Sequence, residues 1–210
     1  MEQAQLYGIG VYEEAIVLTD YTGKAEKQYL IDEKQLMEFF RFNKEVTFDA
    51  FPGLIKMIAD LEGNKSFVVT RPREKRKLIY SKDKKLIHVP MEMPPLLIAA
   101  NINSRGQCRI NYIAAYKGKL TPKTIMYAPA LPNCNGTSMC NGGSNVQLKD
   151  DVMAAIDAAI YDTPFNHHSQ LVGTESIPFL QYVKRYNGRM PFRTLHRMGK
   201  AESILKRGRL

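Results

Sequence analysis

Between Ser66 and Tyr127 the apolar residues come in short strand-like runs: Phe67 to Thr70, Lys77 to Tyr80, Leu96 to Ala100, Cys108 to Ala115 and Thr124 to Tyr127. Short polar or glycine-containing stretches, such as Ser81 to Lys84 and Asn103 to Gln107, divide most of them. Turns that short join antiparallel neighbours, because a parallel pair needs a crossover of a dozen or more residues. The pattern predicts an antiparallel meander, with Pro94-Pro95 as an extended lead-in to its central strand.

The flanks add helices. Leu6 to Val11 and Ala15 to Leu18 suit a pair of strands before the turn Tyr21-Thr22-Gly23. Asp32 followed by Gln35 is a capping-box pattern, and Ile31 with Leu36 stands at staple spacing, so a short helix is expected to about Phe42, burying Leu36, Phe39 and Phe40. After Pro52, the residues Leu54, Met57, Ile58 and Leu61 follow i, i+3, i+4, i+7 spacing, which predicts a second helix stopped by Gly63-Asn64. A third is expected from about Asp150, where Leu148, Val152, Ala155, Ile156 and Ala159 form one stripe and Asp150 and Asp151 favour the positive end of the dipole. It ends before Pro164. The expected fold is therefore α+β: an antiparallel β-meander packed with helices and extended by N-terminal strands. The organisation reads as N-terminal strands and helices over 1–65, a core over 66–183 and a basic tail of weak order over 184–210.

A chain of 210 residues, 44% hydrophobic and 24% charged, has the composition of an ordinary packed domain. No apolar run approaches the ~20 residues that span a bilayer, and the start MEQAQLYGIG lacks a basic segment followed by a long apolar one. The expectation is a cytoplasmic protein with no membrane contact. Three cysteines, Cys108, Cys134 and Cys140, are too few and odd in number for a disulfide framework, and fit a reducing compartment. The net charge of +9 is uneven: residues 184–210 hold nine Lys or Arg against Glu202, and Arg71 to Lys85 hold eight against Glu74 and Asp83. Such clusters favour an acidic partner, nucleic acid or a protein surface, while the plainer reading is a solvated face and a loose tail.

The segment LPNCNGTSMCNG, residues 131–142, carries the chemistry. It lies in a stretch from Ala128 to Val146 with two prolines, three glycines and four asparagines, a long loop between the meander and a helix. A cysteine at the end of such a loop is open to a macromolecular partner. Loop amides and the upstream side chain of Asn133 are candidate donors to an oxyanion formed at Cys140.

This arrangement resembles the ubiquitin-conjugating enzymes, in which a meander leads to His-Pro-Asn, an irregular run with a glycine, the catalytic cysteine and then a helix. Leu131-Pro132-Asn133 stands where His-Pro-Asn would, Gly136 lies between, and Cys140 follows Asn133 by seven positions. The chain is more closely similar to the bacterial branch called PRTRC system protein B, or prokaryotic ubiquitin-conjugating-like family D. The shared features are Pro94-Pro95 before LLIAA, Ala128-Pro129 ahead of the loop, Cys140 with Gly142, a helix, and Phe165-Asn166-His167 near a Phe-Thr-His end. The similarity runs over roughly residues 66–170. It implies a ubiquitin-conjugating-like fold carrying a ubiquitin-like modifier as a thioester on Cys140, with Asn133 as oxyanion donor and His167 as a base. It further implies a ThiF-like activating protein, a JAB-type peptidase in the same plasmid or mobile-element system, and no cofactor. The chain departs from the pattern at Leu131, so the brace given by the motif histidine must be absent or supplied otherwise.

Plainer readings stand beside these. Cysteine is among the most buried residue types, and Cys108, at a strand start, reads as structural. Cys134 reads as a small loop residue, a resolving thiol or a ligand. Cys134, Cys140, His167 and His168 number enough for a zinc ion, but Cys-x5-Cys is wider than the usual knuckle and adjacent histidines rarely face one ion; no metal is expected. His88 reads as a strand-end residue and His196 as part of the tail. The rival function is a non-catalytic binding module that contacts nucleic acid or protein through residues 184–210.

Overall fold

The computed structural model describes residues 7–11, 16–20, 27–32, 35, 52–59, 63–140, 146–148, 151–165 and 171–205. The chain divides into two compact units, Met1–Glu45 and Val46–Leu210. It is a mixed α+β protein built mostly of antiparallel sheet with few helices. Among the described residues no helix is long and apolar enough to cross a membrane.

In the first unit β1 (Tyr7–Val11), β2 (Ile16–Asp20) and β3 (Lys27–Ile31) form an antiparallel sheet in that order. The third strand was not expected, since its apolar residues Tyr29 and Leu30 are exposed and show no alternation. The capping box is present: the Asp32 amide donates to Gln35 Oε1 at 3.0 Å and the Gln35 amide to Asp32 Oδ1 at 2.6 Å. The rest of the expected helix, with Leu36, Phe39 and Phe40, lies outside the described residues.

The second unit holds a six-stranded antiparallel sheet. Its strands are β4 (Leu54–Ala59), β5 (Lys65–Arg71), β8 (Leu96–Ile102), β9 (Cys108–Tyr116), β10 (Ile125–Tyr127) and β15 (Arg197–Lys200), in the order β15-β10-β9-β8-β5-β4. Only β8-β9-β10 is a simple meander. β5 pairs directly with β8, because β6 (Glu74–Lys82) and β7 (Lys85–Met93) leave between them as a separate hairpin. His88 therefore lies mid-strand, exposed and opposite Ile79.

The second helix expected after Pro52 is instead strand β4. The register slips between Leu54 and Lys56, leaving Ile55 as a bulge. Leu54 then sits opposite Val69 and Met57 opposite Phe67, both on the main core, so a β-bulge produces the i, i+3 spacing of a helix. Gly53 closes this end of the sheet at φ +91, its carbonyl accepting from the Thr70 amide at 2.7 Å. A Cβ at Gly53 would lie 2.5 Å from the Thr70 carbonyl oxygen. A second bulge, at Asn111 in β9, turns Cys108 and Ile110 to the same face as Ile113 and Ala115.

One face of the sheet carries the main core. Phe67, Val69, Leu96 and Ile98 meet Leu78, Tyr80, Val89 and Met91 of the β6–β7 hairpin and Ile156 and Ile160 of the helical segment. That segment is α1 (Val152–Asp157), capped by the Asp151 carboxylate accepting from the Met153 amide at 2.7 Å, and it widens into a π-helical turn at Ala158–Asp162. Asp157, at the junction, is paired with Arg71 and with Arg76. The opposite face holds a smaller cluster around Val68, Leu97, Tyr116, Met126 and Ala201.

The stretch expected as a weakly ordered tail is, through residue 205, part of this unit. β13 (Leu171–Val172) and β14 (Ile177–Pro178) precede it as a small hairpin, β15 pairs with β10, α2 (Phe179–Arg185) buries Phe179 and Tyr182, and Met190, Leu195 and Ala201 are buried. The basic residues Arg193, Arg197 and Lys200 point to solvent. Their charge dominates the composition and masks the apolar residues placed between them. Finally, α3 (Glu202–Leu205) brings Ile204 and Leu205 onto the smaller cluster.

Candidate functional site

β10 is only three residues long and pairs with β9 at Ala115 and Tyr116 alone, so the rest of that edge of β9 needs other partners. The loop after β10 supplies them. Its short hairpin, β11 (Cys134–Asn135) and β12 (Ser138–Met139), presents the Thr137 carbonyl to the Ile113 amide at 2.8 Å. Further on, the Val146 carbonyl accepts from the Cys108 amide at 2.8 Å, and Leu148 donates to the Gly106 carbonyl at 2.7 Å. The segment read as a functional loop thus also caps a strand edge, and Cys140 lies on the span between these attachments.

The loop is anchored from beneath. Leu131 is 1% exposed and belongs to the main core, and Pro132 and Asn133 are buried beside it. A turn follows, with the Leu131 carbonyl accepting from the Cys134 amide at 3.1 Å. The position where the resemblance places a histidine is therefore an apolar anchor, and core packing with this turn braces the loop. Gly136, at φ +62, makes the two-residue hairpin turn with Thr137.

Asn133 and Cys140 are brought together through their backbones: the Cys140 amide donates to the Asn133 carbonyl at 2.8 Å. That amide is consequently not free to serve an oxyanion. His167 and His168 lie outside the described residues. Just before them, Phe165 is fully buried and held on β6 by two backbone bonds of 2.8 Å, to the Ile79 carbonyl and from the Ser81 amide.

The three cysteines differ sharply. Cys108 is 1% exposed, and burial pushes its thiol up to about 11. Cys134 is half-buried against the main core, and burial pushes its thiol up to about 12. Both stay protonated near neutral pH and are poor nucleophiles there. Cys140 is exposed. Among the described residues no group of three or more His, Cys, Asp or Glu is placed to hold a metal ion.

A cleft of about 450 Å³ opens on the other flank of the hairpin. The loop residues Pro129, Leu131 and Cys134 form one wall, and Gly173, His196 and Met198 line it from the far side. His196 is fixed there, with Nε2 3.1 Å from the Gly173 carbonyl oxygen and its own carbonyl accepting from the Ala128 amide at 2.9 Å. No sequence signal joins residues 128–136 to residues 171–173 and 196–198; the pairing of β15 with β10 and the contact of His196 with Gly173 do so. Compared with family models, with curated proteins and with solved structures, the chain matches none.

Proposed function

We propose that this protein is a ubiquitin-conjugating-like carrier that holds a ubiquitin-like modifier as a thioester on Cys140. The observation that carries the reading is the difference among the thiols. The exposed one stands at the end of a loop pinned by buried Leu131, Pro132 and Asn133, on the edge of β9 and ahead of α1. In the first step the Cys140 thiolate attacks the carbonyl carbon of the thioester linking the modifier to a ThiF-like activating protein. That C–S bond breaks, the activator's thiolate leaves, and the acyl group is now on Cys140. An amine then attacks the same carbon, forming an amide, releasing the Cys140 thiolate and giving up a proton to a base, for which His167 is the candidate.

One thioester replaces another in the first step, so the exchange is nearly balanced and positioning by the partner supplies the rate. The Asn133 side chain is the candidate oxyanion donor, and the Asn133 backbone carbonyl holds the Cys140 amide in place. The setting is the cytoplasm of a bacterium carrying a PRTRC-type plasmid system, with a JAB-type peptidase to reverse or process the conjugate.

The test is thioester trapping with activating protein, modifier and ATP, with and without reductant. A reductant-sensitive adduct retained in Cys134→Ala and lost in Cys140→Ala is expected. No adduct from a folded protein and a charged activator would contradict the reading. It would favour a non-catalytic module using the exposed Arg193, Arg197 and Lys200.

A further inference from the structure

The β6–β7 hairpin is a second surface with its own chemistry. It is paired without interruption from Glu74 opposite Met93 to Lys82 opposite Lys85. Alternation sends Leu78, Tyr80, Val89 and Met91 into the core and leaves Lys75 and Lys77 outside. At the tip Lys82, Lys84 and Lys85 are also exposed. Among the described residues none of these five lysines is in an ion pair. Two of the ribbon's acids are already engaged, Glu74 by Arg76 at 2.9 Å and Glu92 by Arg73 at 3.5 Å and Arg189 at 3.4 Å. Only Asp83 is left to oppose the lysines.

The ribbon is held rigidly. Its β6 edge is fastened by Phe165, and its β7 edge by the bond from the Glu92 amide to the Gly188 carbonyl at 2.7 Å. Its tip is strained: Asp83 has φ 50 and Lys84 φ 61, the two left-handed residues of a type I′ turn, where Asn-Gly is the favoured pair. A lysine there costs ~1–2 kcal/mol that a glycine would not. Strain retained at an exposed turn is a motive to look for function.

We infer that the outer face and tip of the β6–β7 ribbon bind the phosphate backbones of duplex DNA. Lysines meet phosphates as mobile point charges and carry no sequence information, so the binding is non-specific in sequence. The major groove of B-DNA, ~12 Å wide, admits a two-stranded ribbon, whereas that of A-form RNA is deep and narrow. Single-strand binders stack bases on aromatic rings. The outer face carries no phenylalanine, tyrosine or tryptophan: its one aromatic ring is the exposed imidazole of His88, and Tyr80 is 7% exposed and packs at 5.4 Å on Phe179 in the core. This surface is separate from Cys140 and does not depend on the carrier reading.

The test is fluorescence anisotropy of the full chain with a labelled duplex of about two helical turns, ~20 bp. Five phosphate contacts give a slope of log K against log salt near −4.5, a loss of roughly 500-fold between about 50 and 200 mM salt. Lys82→Gln/Lys84→Gln/Lys85→Gln should bring the slope to about −2 and weaken binding at least ~10-fold at about 50 mM salt. Lys84→Gly alone should weaken binding several-fold while leaving the urea midpoint unchanged or raised, which separates lost charge from lost structure. Cys140→Ala should bind DNA as the parent does. The inference is overturned by absence of binding at about 50 mM salt, or by a ribbon variant that binds like the parent. Loss confined to Arg193→Gln/Arg197→Gln/Lys200→Gln, or equal binding of double-stranded RNA or of polyglutamate, overturns it as well.

Discussion

Cys134 and Cys140 stand at the two feet of one hairpin, and their surroundings are opposite. Cys134 is paired with Met139, half-buried and packed against the main core; Cys140, one residue past β12, faces solvent. The two feet are nevertheless tied together, since Asn133 precedes one and its carbonyl takes the amide of the other. Burial fixes the inner foot and the inner foot positions the outer one. An exposed thiol in this loop is therefore held by buried neighbours.

The largest effect on that comparison should come from Leu131→Ala. A fully buried leucine cut to alanine costs about 2–5 kcal/mol, read as a fall in the urea midpoint. If the anchor acts as described, the Cys134 thiol becomes reactive in the variant under native conditions while Cys140 reacts as before. An unchanged midpoint would break the comparison by showing that the loop does not hang on the core.

Next in size is a pH effect. The Cys108 and Cys134 thiols have folded values raised to about 11 and about 12, above the ordinary thiol value, so their contribution to stability is complete below ~8.5 and lost as pH climbs toward those values. Between pH ~8 and ~10 each should remove on the order of 1–2 kcal/mol. Buried tyrosines such as Tyr161, raised to about 12, add to the loss only above ~10. Cys134→Ala should flatten the decline in urea midpoint. An undiminished decline in that variant would mean that the inner thiol is not held by burial.

The smallest effect belongs to the turn. Gly136→Ala places a side chain at φ +62 with its Cβ 2.9 Å from Met198 Cε, a flexible methyl that can yield, so the cost should be about 1 kcal/mol from backbone strain. A thermal melt would measure it.

The strands β5, β8, β9 and β10 and the helix after the loop were legible because each is governed by near neighbours. Leu96 to Ala100 is a continuous apolar run, as a strand buried on both faces must be, and Asp151 caps α1 two residues ahead of Met153. Where distant segments decide, the sequence misled. The spacing of Leu54, Met57 and Ile58 reads as a helix as clearly as that of Val152, Ala155 and Ile156, yet a bulge against β5 makes the first a strand. β7 was not among the apolar runs read as strands, although His88 was read as a strand end, because Pro90 interrupts it and its partner β6 is what holds it. The order of the C-terminal segment is set by pairing with β10, some seventy residues earlier in the chain. In the site, the exposure of Cys140 was legible from its loop, whereas the cleft beside Cys134 is lined by β15 and residues 171–173, which no local pattern connects to residues 128–136.

The most direct measurement is a count of reactive thiols: native chain treated with iodoacetamide at pH ~8, then peptide mapping, with the urea-unfolded chain as reference. One labelled site is expected, Cys140, with Cys134 slowed roughly 10³-fold relative to the unfolded chain. Rapid labelling of Cys134 in the native chain, or protection of Cys140, would contradict this expectation.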